Sequence, residues 1–505
     1  MKNRGPCFVH DCFFDACCNF PPPAAQGPIA AIWVGNFGID GGWFYDNLFV
    51  GNGAKSSDLC PVVAACENSP SPAVTLSGTA SSSVTGMVIV ITTGGALGGG
   101  MAFKWSQDGG ATYTTAVSGA STVDLGSSGL TANFATGVYP TGNIYRAGFY
   151  SAADGYSITT AFYPSTHLHC LRNHIVAAWD DFGIALYNTD YSEIVGNTID
   201  MGGPSNRRNP DVRLHRAQIG DDREDSGYGA IVYTETPRSG NRIQGNTISN
   251  SAGTGIYFQN NIDFQCSGNV LIDTCQNQGD ASLTVGAIAA DAGEGTITGN
   301  TIKCSGKSGI AIKGGYYTIV GNRIDDCANK YGIFFDGNVN QTTVSGNQIS
   351  NCAMGIYSAN QSRCDKCTIV GNAICKATGS SAIELHAATN CSVVGNQIDT
   401  ASLDGILLYN FDDDAVSNND AGSNNIVQGN GVTGAADGGW AYEILSSHTL
   451  VLNNIATSGQ KGILVTGDYC FVSGNDMSAM SGTPYSLSGT GLVALANRTT
   501  GGGVV

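Results

Sequence analysis

Short stretches in which apolar and polar residues alternate recur along most of this chain, and they recur at a nearly fixed interval. Thr368-Ile369-Val370 leads into Gly371-Asn372, and the same phrase stands at Gly196-Asn197, Gly245-Asn246, Gly299-Asn300, Gly321-Asn322, Gly346-Asn347, Gly395-Asn396, Gly429-Asn430 and Gly474-Asn475. Looser copies fall at Asn173, Asn269, Asn453 and Asn497, and most successive Asn spacings lie between 22 and 25 residues. About ten residues after each Asn comes a second phrase, Gly-Ile-x-apolar, as at Gly183-Ile184, Gly255-Ile256, Gly309-Ile310, Gly332-Ile333, Gly355-Ile356, Gly405-Ile406 and Gly462-Ile463. Period-two alternation over so few residues predicts short strands, and no helical periodicity intervenes. A unit of two or three short strands cannot bury its apolar face alone, so successive copies must stack. Asn tolerates the left-handed backbone that tight turns need, and stacked Asn side chains can pass amide hydrogen bonds from coil to coil.

This repeat resembles the right-handed parallel β-helix of the pectate-lyase-like superfamily over about residues 155–500. The expected fold is all-β: a β-helix over 151–505, preceded by a small β-sandwich over 71–150 and an irregular segment over 1–70. Cys304, Cys327, Cys352 and Cys375 follow their Asn by 4, 5, 5 and 3 residues, as buried small hydrophobes stacked near one corner would. Zinc would want its ligands in one small tetrahedron, not spread over successive coils. Cys364-Asp365-Lys366-Cys367 reads as a pair of loop thiols. In the middle segment, Val84 to Ile91 reads as a strand and Phe103 to Tyr113 as a hairpin around Asp108-Gly109-Gly110. The phrase Phe103-Lys104-Trp105-Ser106-Gln107-Asp108-Gly109-Gly110-Ala111-Thr112-Tyr113 resembles one found in small β-domains of bacteriophage structural proteins. Cys7, His10, Cys12, Cys17 and Cys18 have no standard metal-ligand spacing, so residues 1–70 are expected to act as a docking segment.

Composition narrows the function classes. A net charge of −17, from 23 Lys+Arg against 40 Asp+Glu, argues against nucleic acid or anionic membrane as partner. No apolar run approaches the ~20 residues of a membrane-spanning helix, and acids at Asp11 and Asp15 make the start a poor secretory signal. Nothing in the motifs calls for a cofactor or a metal.

Candidate chemistry follows from the alternation of strand side chains. With the Ile of each Gly-Ile phrase pointing inward, one outward column reads Thr234, Gln259, Asp291, Lys313, Asp336, Ala359, His386 and Tyr409, and its neighbour includes Tyr257, Phe334, Tyr357 and Glu384. Coils spaced ~4.8 Å apart put Asp291 and Asp336 ~9–10 Å apart, near the carboxylate gap of inverting glycosidases. The competing reading is a solvated Asp-Lys-Asp ladder. Tyr257, Phe334, Tyr357, Glu384 and His386 are candidates for stacking on or binding a sugar, or for packing against a neighbouring subunit. Residues 204–225 hold ten charged residues in twenty-two, and long loops on rigid scaffolds concentrate function. His167, His169 and His174 read as solvated.

Two family phrases fall in loops. Arg208-Asn209-Pro210-Asp211-Val212-Arg213 is similar to the RxPxxR phrase of pectate lyases, which implies a basic role for Arg208 or Arg213. Asn188-Thr189-Asp190 and Gly220-Asp221-Asp222 are similar to the NTD and GDD phrases of polygalacturonases, which implies hydrolytic roles for Asp190, Asp221 and Asp222, with Glu224 beside them. The two imply different reactions, and the GHG and RIK phrases of polygalacturonases are missing. Taken with the phage-like β-domain, the solenoid resembles a bacteriophage tailspike or tail-fibre protein. That implies a virion component assembled in the host cytoplasm and docked on other tail proteins, a homotrimer that binds host surface polysaccharide and in some cases cleaves it. A non-catalytic virion protein and a free bacterial polysaccharide lyase or hydrolase are the open alternatives.

Overall fold

The computed structural model describes residues 7–15, 29–34, 40–50, 62–63, 72, 74–78, 81, 87–107, 112–147, 155–160, 165–176, 182–200, 228–251, 253–275, 286–291, 293–303, 305–327, 330–359, 362–409, 422–435 and 438–505. It divides into two compact units: Met1–Asn188 with Glu193–Ile231 and Ile248–Gly253, and Thr189–Ser192 with Val232–Thr247 and Thr254–Val505. Among the described residues there is no α-helix.

In the larger unit the repeat becomes three parallel sheets. The first runs from Arg242–Gln244 to Val493–Leu495, the second from Val270–Ile272 to Ile455–Ser458, and the third from Ile256–Ile262 to Tyr485–Leu487. Each turn of chain adds one strand to each sheet. Ile297, Ile319, Val344, Ile369 and Val393 of the first sheet, Ile302 and Ile324 of the second, and Ile310, Ile333, Ile356 and Ile383 of the third are all fully buried. They form one continuous aliphatic core, as the inward reading of Gly-Ile requires.

The two glycines of the repeat serve different physical needs. Gly346 has φ +62 and open space where a Cβ would stand, so its glycine serves the left-handed turn. Gly332 is packed: a Cβ there would come 2.4 Å from Ile349 and 2.6 Å from the Gly355 carbonyl of the next coil. The Asn after each turn glycine is buried and builds a ladder. Asn347 receives Asn322, and itself donates from N and Nδ2 to Asn372 Oδ1 at 3.0 and 2.9 Å; Asn372 hands on to Asn396, and Asn396 to Asn430. The rung after Asn430 is Asn454, not Asn453. Asn453 has φ +52 and takes the turn-glycine position instead.

The smaller unit corrects the expected layout. The described parts of 1–70 are largely strands, and all of them but Val62–Val63 belong to parallel sheets. Cys7–His10 pairs with Gly42–Tyr45, Asp40–Tyr45 with Ser165–Leu171, and Leu48–Val50 with His174–Val176. Asn47 joins the same kind of ladder, donating to Asn173 Oδ1, which in turn is followed by Asn197. Asp46 stands where later coils carry glycine, at φ +56, so the phrase escapes a search for Gly-Asn. Between these coils an antiparallel domain is inserted. Met87–Thr93, Ala102–Ser106, Ile144–Ala147 and the short Val62–Val63 and Val117–Ser118 make one sheet; Val74–Gly78, Thr122–Asp124 and Leu130–Phe134 make another. Their shared core is built from Val74, Ile89, Ile91, Phe103, Leu130 and Phe134. Trp105 and Thr114 are hydrogen-bonded across the expected hairpin.

The cysteine expectations divide. Cys327 and Cys352 are buried, but Cys375 is partly exposed, because it lies one residue past inward Ile374 and so points outward; Cys304 lies outside the described residues. Cys364 and Cys367 are buried rather than loop thiols. Cys7, Cys12 and His10 are exposed.

Candidate active site

The third sheet of the larger unit carries the chemistry on its outer face. The register there is Gln259–Asp291–Lys313–Asp336, as the alternation predicts. Asp291 is half-buried, and burial raises its pKa against the pull of Lys313, with Asp336 adding to the rise. A lysine seated between the two acids is what an ion ladder would have.

The neighbouring column reads Tyr257–Ala289–Ala311–Phe334–Tyr357–Glu384–Leu407–Glu443–Leu464. Its aromatics are less available than expected. Phe334 is 0% exposed and Tyr357 9%, because Tyr331 stacks on Phe334 at 4.8 Å between ring centroids and packs at a tilt on Tyr357 at 4.5 Å. Tyr257 is partly buried against the same cluster. Phe334 is therefore structural, and Tyr331, one of the rings covering it, is the more accessible. His386 and Glu384 are also buried, not solvated: His386 Nε2 lies 2.8 Å from Glu384 Oε1. The His386 ring meets Tyr357 edge-on, and Tyr409 packs on its other side.

Two acids absent from the sequence-based candidates complete the group. Asp404 is 2% exposed and accepts from the Trp440 backbone N–H at 2.6 Å and from Ser381 Oγ at 3.3 Å. Glu443, half-buried, is hydrogen-bonded to Asp404, and burial followed by the Asp404 charge pushes its pKa up to about 7. Burial likewise raises Asp404. Two carboxyls in such contact cannot both ionise cheaply, so they share a proton near neutrality. Lys461, in register with Trp440, places its ammonium 5.4 Å from the Trp440 ring centroid and opposes the rise at Glu443. The register puts Glu384 and Glu443 two strand spacings apart, ~9–10 Å, with Leu407 between them. The arrangement joins a proton donor, a second carboxylate across a gap and accessible aromatic rings.

The remaining candidates do not join it. Asp190 accepts from Arg238 Nη1 at 3.0 Å and from the Ser239 N–H at 2.9 Å, which pins the start of a strand connection. Arg208, Arg213, Asp221, Asp222 and Glu224 lie outside the described residues. His169 stacks on Trp43 and lies 3.1 Å from Glu193, while His167 lies 2.9 Å from Asp40.

Sheet topology and sequence comparison together define the class: this is a right-handed parallel β-helix. The model of the right handed beta helix region matches residues 276–421, and that of the periplasmic copper-binding protein NosD matches 183–342. The described residues do not fit a copper site, since no group of three or more His, Cys, Asp or Glu among them could hold a metal ion. Among solved structures, the chain is similar to an exopolygalacturonase from Thermotoga maritima at 11% identity, covering 67% of this chain and 82% of that one with a TM-score of 0.34. It is similar to the A-module of the mannuronan C-5 epimerase AlgE6 from Azotobacter vinelandii at 14% identity, covering 68% and 91%, TM-score 0.39. It is also similar to the Dettilon tailspike protein at 15% identity, covering 68% and 62%, TM-score 0.31. A search of curated proteins finds no match.

Proposed function

We propose that this β-helix binds a polysaccharide along the outer face of its third sheet and hydrolyses it at Glu443, Asp404 and Glu384. The observation that carries the reading is the Asp404–Glu443 pair, which keeps a proton on Glu443 up to about pH 7. A general acid needs that property to protonate a leaving glycosidic oxygen at neutral pH. Glu443 gives its proton to that oxygen as the C–O bond breaks. Glu384 takes a proton from the water that forms the new C–O bond on the opposite face, across a strand-register gap of ~9–10 Å, at the wide end of the inverting range. Asp404 touches neither; it positions Glu443 and its proton. Tyr331, Trp440 and the exposed Tyr409 offer ring faces on which sugars stack.

The setting we propose is a bacteriophage virion, as a tailspike or tail-fibre protein acting on host surface polysaccharide. Support for it comes from the Phe103 to Tyr113 phrase within a small β-domain attached to a long solenoid. The smaller unit would dock on other tail proteins. A non-catalytic adhesin is the second reading, and the burial of Glu384 at 8% exposure against His386 favours it. The test is to incubate the protein with purified surface polysaccharides and follow chain length, new reducing ends and unsaturated uronate. Shortening with reducing ends and no unsaturated product supports hydrolysis. Unsaturated product would mean a lyase, and binding without shortening would leave the adhesin.

A further inference from the structure

Nine cysteines among the described residues are buried, and five of the nine fall on three successive coils: Cys327, Cys352, Cys364, Cys367 and Cys391. Buried cysteines elsewhere stand among hydrophobes. Cys170 lies between Phe44 and Ile194, and Cys266 between Ile243 and Ile297, where a small apolar side chain is all the core needs. On the three coils the thiols instead fall into pairs. Asp325 pairs with Ser350 and Cys352 with Ala377, so Cys327 and Cys352 hold the same place on neighbouring coils. Thr368 pairs with Ser392, which does the same for Cys367 and Cys391. The positions in register with this second pair are Thr342, Asn425 and Thr449, so hydrophobicity is not what that place requires.

We propose that Cys327–Cys352 and Cys367–Cys391 are disulfide sites that clip these three coils together when the protein is oxidised. Neighbouring parallel strands lie ~4.8 Å apart, inside the ~4.4–6.8 Å between Cα atoms that a disulfide spans. Each pair is already in thiol-to-thiol contact. Cys352 is hydrogen-bonded to Cys327 and, with burial, raises its pKa. Cys364 and Cys391 are both hydrogen-bonded to Cys367 and hold its thiol below the usual range, which marks it as the attacking sulfur. The oxidant is a small disulfide such as oxidised glutathione. The Cys367 thiolate attacks one of its sulfurs, breaking that S–S bond, forming a mixed disulfide and releasing one glutathione thiolate. Cys391, as thiolate, then attacks the Cys367 sulfur, forming the coil-to-coil bond and expelling the second. Two cysteines are thereby oxidised by two electrons, and the two glutathiones carry away both thiol protons. The same exchange joins Cys327 to Cys352. Lys366 is exposed beside Cys367, so opening that turn gives the oxidant its approach. Cys364 shares a coil with Cys367, and a bond between those two would clip nothing. The three coils carry Tyr331, Tyr357 and Glu384 on neighbouring strands, so the clips brace the strands under the candidate site whatever that site acts on.

To test this, the full chain, folded and reduced, is incubated with oxidised glutathione, its remaining thiols are alkylated, and its peptides are mapped without reduction. Exposed Cys7 and Cys12 report that the oxidant is active. The expected map contains Cys327–Cys352 and Cys367–Cys391 links, both removed by dithiothreitol. In guanidinium the clipped chain should show a folded-to-unfolded ratio raised roughly tenfold or more, since each link closes a loop of about 25 residues. Cys352→Ala/Cys391→Ala, which leaves one thiol of each pair, should lose both links and that gain together. The wild-type map reads the links directly, so a variant that fails to fold leaves the test intact. Modification of Cys7 and Cys12 while the four buried cysteines remain thiols would overturn the inference. So would a Cys364–Cys367 link in place of Cys367–Cys391, links that form only after unfolding, or links that leave the unfolding midpoint unchanged.

Discussion

Replacing Glu443 by Gln tests the proton-sharing pair without disturbing its shape. Gln is nearly isosteric with a protonated Glu and never ionises. In the folded chain Glu443 keeps its proton to about pH 7, against an ordinary value of 4.5. Between those limits the folded state binds more protons than the unfolded chain, so stability falls as pH rises. The contribution is whole below pH ~4.5 and is lost as pH passes through about 7. At 1.36 kcal/mol per unit the shift is worth at most ~3 kcal/mol. Glu443 is only half-buried, so solvent screening reduces this to about 1–2 kcal/mol. For a chain of 505 residues that is about 1–2 °C in Tm, since the unfolding entropy grows with chain length. The assay is thermal unfolding of wild type and Glu443→Gln from pH 4 to 8. The wild type should lose about 1–2 °C relative to the variant on crossing pH 5 to 7. Parallel profiles would refute the pair as a store of a proton.

Three further outcomes follow from the fold. Gly332→Ala should cost several times more than Gly346→Ala, because the first drives a Cβ into the Gly355 carbonyl of the next coil while the second pays about 1–2 kcal/mol for a left-handed turn; chemical unfolding of the two variants gives the ratio. Asn372→Ala should lower stability by about 3–5 kcal/mol, since it orphans the Asn347 donors and the Val344 carbonyl in a buried ladder, and unfolding midpoints measure it. Thiol labelling of the native chain should modify Cys7 and Cys12 quickly and Cys170 slowly, because burial pushes the Cys170 thiol up to about 12; peptide mapping distinguishes them.

The repeat was legible because a turn that needs φ > 0 and a buried amide ladder leave a fixed Gly-Asn phrase behind. Where another residue meets the same need the phrase disappears, as at Asp46-Asn47 and Asn453-Asn454, so at those rungs the sequence carries no Gly-Asn signature. The outward column of Asp291, Lys313 and Asp336 followed from period two alone. Glu443 did not, because its strand, Trp440-Ala441-Tyr442-Glu443-Ile444, replaces Gly-Ile with Ala-Tyr after a 34-residue step between Asn396 and Asn430. Tyr442 fills the inward place of Ile406, and extending the column by register would have led from Glu384 through Leu407 to Glu443. Alternation also tells which side of a sheet a residue faces but not what lies over it, so Phe334 reads as outward and is nevertheless covered by Tyr331.

The most direct test of the central claim is cleavage of a polysaccharide that the protein binds, compared between wild type, Glu443→Gln and Asp291→Asn. The account predicts reducing ends from the wild type and from Asp291→Asn, and at least a hundredfold loss in Glu443→Gln with binding retained. Full activity in Glu443→Gln, or loss confined to Asp291→Asn, would contradict it.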